Sequence, residues 1–336
     1  MHTIAVMTVR DWVHVIQTSN LAPGRPMDAV SRWLLITRAS VFSMTLTSAL
    51  IGGLLAASAA EFHWVAFALS TFGLVLAHAA NNMINDYFDL ETGVDTEDYV
   101  RAQYAPHPVL SGLISKRGLL AAIAAVNALD AAILAYLTWL RGWPAPAFAL
   151  AGLFISVFYV APPVRLKHNG LGELGVFLVW GPLMIGGTYY VTAGEVAPWV
   201  FAASVPYGLL VTTVLLGKHL DKLEADRSRG IRTLPVILGD RLARRLTQAL
   251  MVAFFALVVV LVATGVTGAW TLLALLSARH LPGVIRVFSR PKPERPPDGY
   301  PIWPLWYVAW AFRYTRQAGF LFVAGLALDA VWRAHV

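Results

Sequence analysis

Roughly nine apolar stretches of about 20 residues each divide this sequence, and a run of that length crosses the hydrocarbon core of a bilayer as a helix. They fall near 36–59, 64–86, 118–140, 145–161, 171–192, 198–220, 244–265, 269–288 and 311–332. Backbone polar groups in lipid must find partners within their own element, so stretches this long are read as helices. The fold expected is an all-α membrane protein with about nine transmembrane helices around a central cavity. Gly and Pro inside several spans do not argue against this in lipid. The stretch 269–288 holds Arg279, His280 and Pro282 and is expected to be half-buried or broken. Composition agrees: 57% of the 336 residues are hydrophobic and 13% charged, against about 25% charged in soluble domains.

The charges test the count. With nine spans, the N-terminal segment and the loops after the second, fourth, sixth and eighth share one side. That side collects nearly all the Lys and Arg, while Arg141 and Arg333 remain opposite. The rule that basic loops stay inside puts the rich side in the cytoplasm of a multi-pass cytoplasmic-membrane protein. The net charge of +7 is then topology and contact with anionic membrane lipid, not a nucleic-acid footprint. Residues 1–32 read as a cytoplasmic or interfacial segment without the character of a cleavable signal, and 33–336 as one membrane domain. The sequence has no Cys, which excludes disulfides, zinc–thiolate sites and a Cys nucleophile.

Where the second span meets water the sequence reads Asn81-Asn82-Met83-Ile84-Asn85-Asp86-Tyr87-Phe88-Asp89, then Gly93-Val94-Asp95. On a continuing helix Asn82, Asp86 and Asp89 share a face at i, i+4 and i+7. Carboxylates stacked at the mouth of a membrane helix are costly, which marks a site, and oxygen ligands of this kind suit Mg²⁺. A second acidic cluster ends the sixth span on the same side: Lys218, Asp221, Lys222, Glu224, Asp226 and Arg227. Acidic residues at helix ends are often solvated caps, but two sets at two mouths on one face argue against that. Asp86, Asp89, Asp221 and Asp226 are therefore the candidate metal ligands and catalytic residues. Arg165 and Lys167 in the loop after the fourth span, with Lys218 and Lys222, supply cations for a diphosphate, and the bundle interior takes an apolar tail. Asn127 and Asp130, at i and i+3 inside the third span, suit either a pocket or an interhelical hydrogen bond. Tyr189 and Tyr190 are either interfacial aromatics or acceptor contacts. His107 is either a diphosphate contact or a plain loop residue.

These motifs resemble the UbiA superfamily of intramembrane prenyltransferases. Asn85-Asp86-Tyr87-Phe88-Asp89 with Gly93-Val94-Asp95, and the segment Pro108-Val109-Leu110-Ser111-Gly112-Leu113-Ile114-Ser115, are similar to the menaquinone branch. So are Gly170-Leu171-Gly172-Glu173, Gly187-Thr188-Tyr189-Tyr190 and Gly230-Ile231-Arg232-Thr233-Leu234. The likeness implies Mg²⁺-dependent transfer of a prenyl group from a polyprenyl diphosphate to a small aromatic quinone precursor, with release of pyrophosphate. It implies that Asp86 and Asp89, with Asn82 and Asn85 nearby, hold Mg²⁺ on the diphosphate. Asp95 assists, and Arg101, Arg165 and Lys167 neutralise the departing pyrophosphate. Two departures stand out. The family's second motif runs Asn, Asp and Asp at intervals of four, yet Lys218 and Lys222 hold the first two places here, and Asp221 lies about 140° from Asp226 on an ideal helix. Either a bulge returns Asp221 to the site or a lysine replaces part of a second metal's charge. His107 stands where the family usually has Arg. The alternatives are a terpene cyclase on the same fold, needing no acceptor, and a transporter or non-catalytic membrane protein. A transporter should show inverted repeats or charges deep in broken helices, and neither is visible.

Overall fold

The structure is a computed structural model that describes residues 7–59, 61–98, 100–300 and 302–335, without the side chains of Arg101, Ala102 and Ala334. Two short helices, α1 (Val9–Thr18) and α2 (Ala29–Ile36), precede the bundle. It continues through α3 (Phe42–Ala56), α4 (Trp64–Glu91), the short α5 (Val100–Tyr104), α6 (Lys116–Arg141) and α7 (Pro144–Phe158). Next come α8 (Gly172–Leu178), joined by one π turn to α9 (Met184–Ala193), then α10 (Pro198–Asp221) and the short α11 (Leu223–Ser228) and α12 (Leu234–Leu238). The last part holds α13 (Asp240–Ala263), a 3₁₀ stretch (Ala269–His280) running into α14 (Leu281–Phe288), and α15 (Tyr307–His335).

Among the described residues, seven helices are long and apolar enough to cross a membrane, so the expected nine is not reached. The fourth expected span is α7, whose 15 residues reach only about 22 Å at 1.5 Å per residue, short of a hydrocarbon core of about 30 Å. The ninth expected span lies within α15, which carries Arg313, Arg316 and Gln317. The eighth is not broken as expected: its 3₁₀ part passes straight into α14 with helical φ/ψ at Leu281, and Ala269–Phe288 is one apolar run of 20 residues.

Inside lipid there is little hydrophobic drive between helices, so close packing and small residues bring them together. The central helix α10 buries Tyr207, Leu210, Val211 and Leu216 and packs between α13 and α15. Gly217 lets it touch α15: a Cβ there would lie 2.9 Å from Val308 backbone atoms. Gly52 does the same for α3 against the carbonyl of Ile185. Helices α6 and α7 are peripheral and leave Leu120, Leu129, Trp139 and Phe154 exposed away from the cavity lining, a face suited to lipid chains. Between this outer pair and the α9–α10 core lies a cavity of about 570 Å³, walled also by α3 and α4.

Candidate functional site

The cavity is apolar along most of its depth, with Met44, Leu74, Ile133, Phe148, Trp180 and Val211 among its walls. At one end it meets a small polar pocket, and Arg38, Asn85, Tyr104, Tyr159 and Lys218 border both spaces. The polar pocket is completed by Asp89, Asp95, Lys167, His219 and Lys222.

Helix α4 brings its polar face to this junction. Asp86 is fully buried, and its carboxylate accepts from Arg38 Nε at 3.2 Å and from Arg38 Nη2. Arg38 reaches it from a left-handed turn (φ 54°) between α2 and α3. Asp89, one turn on, accepts from Lys167 Nζ at 3.0 and 2.8 Å. Lys167 is presented by a 3₁₀ turn after α7, and Asn169 within that loop pairs with Arg232. Beyond α4, Gly93 takes a positive φ of 69°, a conformation glycine adopts without strain. The amides of Val94 and Asp95 then donate to the Asp89 carbonyl at 2.8 and 2.9 Å, folding Asp95 back beneath the helix end.

His107 is buried between two of these carboxylates, with Nε2 3.7 Å from Asp86 and 3.5 Å from Asp95. Its Nδ1 accepts the amide protons of Val109 and Leu110, both at 3.3 Å. In the neutral ring Nε2 therefore carries the proton and faces the carboxylates as a donor. Candidate ligand atoms of Asp86, Asp95 and His107 lie within 4.8 Å of one another. The tautomer takes His107 out of the ligand set and leaves oxygen. Asn85 Oδ1 is buried without a hydrogen-bond partner among the described residues, and Asp95 Oδ2 is buried facing only the His107 ring, at 3.5 Å. An orphaned amide oxygen and an under-satisfied carboxylate oxygen beside Asp86 fit a hard divalent cation such as Mg²⁺.

The second acidic cluster is arranged otherwise than expected. Helix α10 ends at Asp221, and the chain bends at Lys222 into α11. The Asp221 carboxylate points to α15, accepting the amide protons of Tyr307 and Val308 at 2.9 and 3.0 Å. Lys292 Nζ lies 3.7 Å from it. Asp221 is thus a cap on the positive end of another helix rather than a ligand beside Asp226. Asp226 is fully buried, and its charge acts on both Lys167 and Lys222. Lys218 and Lys222 line the polar pocket, as their positions in the altered motif imply.

Several cations meet in a small volume here. Burial pulls the Lys167 ammonium down, but its pair with Asp89 more than offsets that and leaves it raised. Lys222 is pushed down to about 8, by burial first and then by repulsion from Lys167. Burial pushes the Asp95 carboxyl up, while the His107 ring and the charges of Lys222, Lys167 and Arg38 outweigh it and hold it below the usual range.

The remaining expected residues are dispersed. Asn82 donates to the carbonyl of Thr37 at 3.0 Å, tying α4 to the end of α2 while lining the cavity. Asn127 and Asp130 line the apolar cavity, with Asn127 Nδ2 spent on the carbonyl of Ile123 at 2.8 Å. Tyr189 does not reach it: its hydroxyl donates to Glu195 at 2.7 Å and its ring meets Trp199 edge-on. Arg165 adopts a left-handed φ of 45° with its Nε buried. The Arg101 side chain lies outside the described residues. Arg38, Tyr104, Tyr159 and His219 join the pocket unanticipated. Of these, only Tyr159, at the end of an apolar run just before Pro162-Pro163, carried any local signal.

Comparison with known proteins accords with this geometry. The chain is 25% identical over 244 residues to the 1,4-dihydroxy-2-naphthoate octaprenyltransferase of Bacillus subtilis (strain 168), covering 72% of this chain and 77% of that protein. It is 24% identical over 242 residues to the 2-carboxy-1,4-naphthoquinone phytyltransferase of Synechocystis sp. (strain ATCC 27184 / PCC 6803 / Kazusa), covering 71% and 76%. In fold it is similar to a UbiA homolog from Aeropyrum pernix K1, with a TM-score of 0.65 at 22% identity over 86% of this chain and 98% of that one. A UbiA homolog from Archaeoglobus fulgidus bound to GPP and Mg²⁺ gives a TM-score of 0.56 at 16% identity over 88% and 99%. The model of the UbiA prenyltransferase family matches residues 45–303, and the chain belongs to that family.

Proposed function

We propose that this prenyltransferase transfers the prenyl group of a polyprenyl diphosphate to a small aromatic acceptor of the naphthoate class, with Mg²⁺. The observation that carries the reading is the junction itself: an apolar cavity of about 570 Å³ opening on a buried pocket of paired carboxylates and cations. A prenyl diphosphate has that same polarity, a long hydrocarbon tail and a compact anion. Asp86, Asp95 and the Asn85 amide oxygen would hold Mg²⁺, which when bound neutralises the diphosphate and favours its departure.

The chain's own groups do the rest. Arg38 and Lys167, paired with Asp86 and Asp89, stand where they can turn to phosphate oxygens as negative charge develops on them. The C1–O bond breaks with its electron pair leaving on pyrophosphate, and the apolar walls keep water from the allylic cation. The acceptor's nucleophilic carbon then bonds C1, and the proton on that carbon is lost. We assign the pocket to the cytoplasmic face and residues 1–32 to a cytoplasmic or interfacial segment, within which Asn20 Nδ2 donates to the carbonyl of the pocket residue Tyr104 at 2.7 Å.

The test is direct. Purified protein is incubated with Mg²⁺, geranyl to decaprenyl diphosphates and a panel of aromatic acceptors, and products are read by mass spectrometry. A prenylated naphthoate is expected, with Asp86→Ala lowering the rate by at least about 100-fold. A cyclic hydrocarbon formed without acceptor, or pyrophosphate release undiminished in Asp86→Ala, overturns the reading.

A further inference from the structure

The two sides of the polar pocket are built from different chemistry. On the α4 side, Asn85, Asp89 and Asp95 line the pocket, Asp86 lies buried beside Asp95, and Asn85 Oδ1 is buried without a hydrogen-bond partner among the described residues. On the α10 side, Lys218 and Lys222 line the pocket, and Lys167 enters beside them from the loop after α7. The carboxylate that chain position makes available there, Asp221, is committed to the first two amides of α15 and to Lys292. Among the described residues, the one acidic or His group close enough to converge on an ion contains Asp86 and Asp95, with His107 beside them as a donor.

A dication on the α10 side would therefore sit among lysines, where the Asp89 carboxylate is already bonded to Lys167. The ammonium groups already repel one another, as the effect of Lys167 on Lys222 shows. Like charges this close are tolerated where an anion lies between them, and a diphosphate is such an anion.

We infer that this site binds its diphosphate with a single divalent cation on the Asp86–Asp95 side, while Lys167, Lys218 and Lys222 clamp the other end of the anion in place of a second cation. The inference rests on the prenyl-diphosphate reading above and specifies how that substrate is held. The clamp makes one half of the anion's charge balance part of the chain, independent of metal concentration.

Metal stoichiometry tests it without turnover. The detergent-solubilised full chain is titrated with Mn²⁺ in the presence of geranyl thiodiphosphate, a slowly ionising analogue, and free Mn²⁺ is followed by electron paramagnetic resonance. One Mn²⁺ per chain is expected, and two overturn the clamp while leaving the prenyl-diphosphate reading intact. Failure of the analogue to bind at any Mn²⁺ concentration overturns that reading and the clamp with it. The Lys218→Met/Lys222→Met double variant should bind the analogue about 10- to 100-fold more weakly, still with one Mn²⁺. Unchanged affinity there overturns the clamp. Lys222→Arg keeps the charge and should stay within about threefold of the parent, which separates lost charge from a lost fold.

Discussion

Replacing Asp221 with alanine removes the acceptor for the amides of Tyr307 and Val308 and leaves Lys292 facing them. Loss of a helix cap costs about 1–2 kcal/mol, so Asp221→Ala is expected to lower the thermal midpoint in detergent while the Mn²⁺ count stays the same. A lost metal ion with unchanged stability would return Asp221 to the site. Its neighbour Lys222 is governed by its own ionisation. Held down to about 8 by burial and by Lys167, it is an ammonium below that pH and a neutral amine above it. An anionic substrate needs the ammonium, so kcat/KM for the prenyl diphosphate is expected to fall as pH climbs through about 8. Lys222→Arg should abolish that alkaline limb, because guanidinium stays charged; a limb that persists in the variant assigns it elsewhere. At this scale the shared face of Asp86 and Asp89 at the mouth of α4 was legible from helical spacing, while Asp95 was given a role only through the family likeness. Arg38 was not legible, because its approach to a residue 48 positions away depends on a left-handed turn that no local pattern announces. Asp221 misled for a related reason: it was placed by rotation about α10, whereas its partner belongs to a helix 86 residues on.

Among the helices, the α10–α15 contact matters most to the pocket, because it sets where α10 ends and so where Lys218 and Lys222 point. Gly217 is the close point, where a methyl group would come within 2.9 Å of Val308 backbone atoms that cannot yield as a side chain can. Gly217→Ala is expected to destabilise by about 1–3 kcal/mol through overpacking and to weaken diphosphate binding as the two helices part. Gly283 in α14 is the control, since nothing lies within 4 Å of an added Cβ there. Gly283→Ala should stay within about 0.5 kcal/mol of the parent, and thermal melts of the pair decide the matter. Helix existence was readable from apolar run length, whereas the Arg-His-Leu-Pro sequence marks only a change from 3₁₀ to α winding and not the expected break. Run length could not show that α7 is a single short apolar helix, because the apolar stretch continues into Tyr159-Val160-Ala161 after the helix has stopped.

The whole molecule is polarised, and the polarity can be tested for its direction. Arg141 donates to the carbonyls of Val191 and Thr192 and pairs with Glu61, and Arg333 reaches Ser58. The two basic residues assigned by charge to the outer side therefore gather where α3 ends and α4 begins. The paired carboxylates and lysines lie at the other end of α4. Anionic lipid and the resting potential both favour the lysine-rich end in the cytoplasm, where a prenyl diphosphate and pyrophosphate can exchange with water. Because the chain has no Cys, single cysteines report topology without background. Glu97→Cys and Ser228→Cys mark exposed positions at the pocket end, and Val196→Cys an exposed position at the other. In intact cells a membrane-impermeant maleimide is expected to label Val196→Cys alone, and all three after the membrane is opened. Labelling of Glu97→Cys in intact cells would invert the molecule, and with it the side from which the charged substrate must arrive.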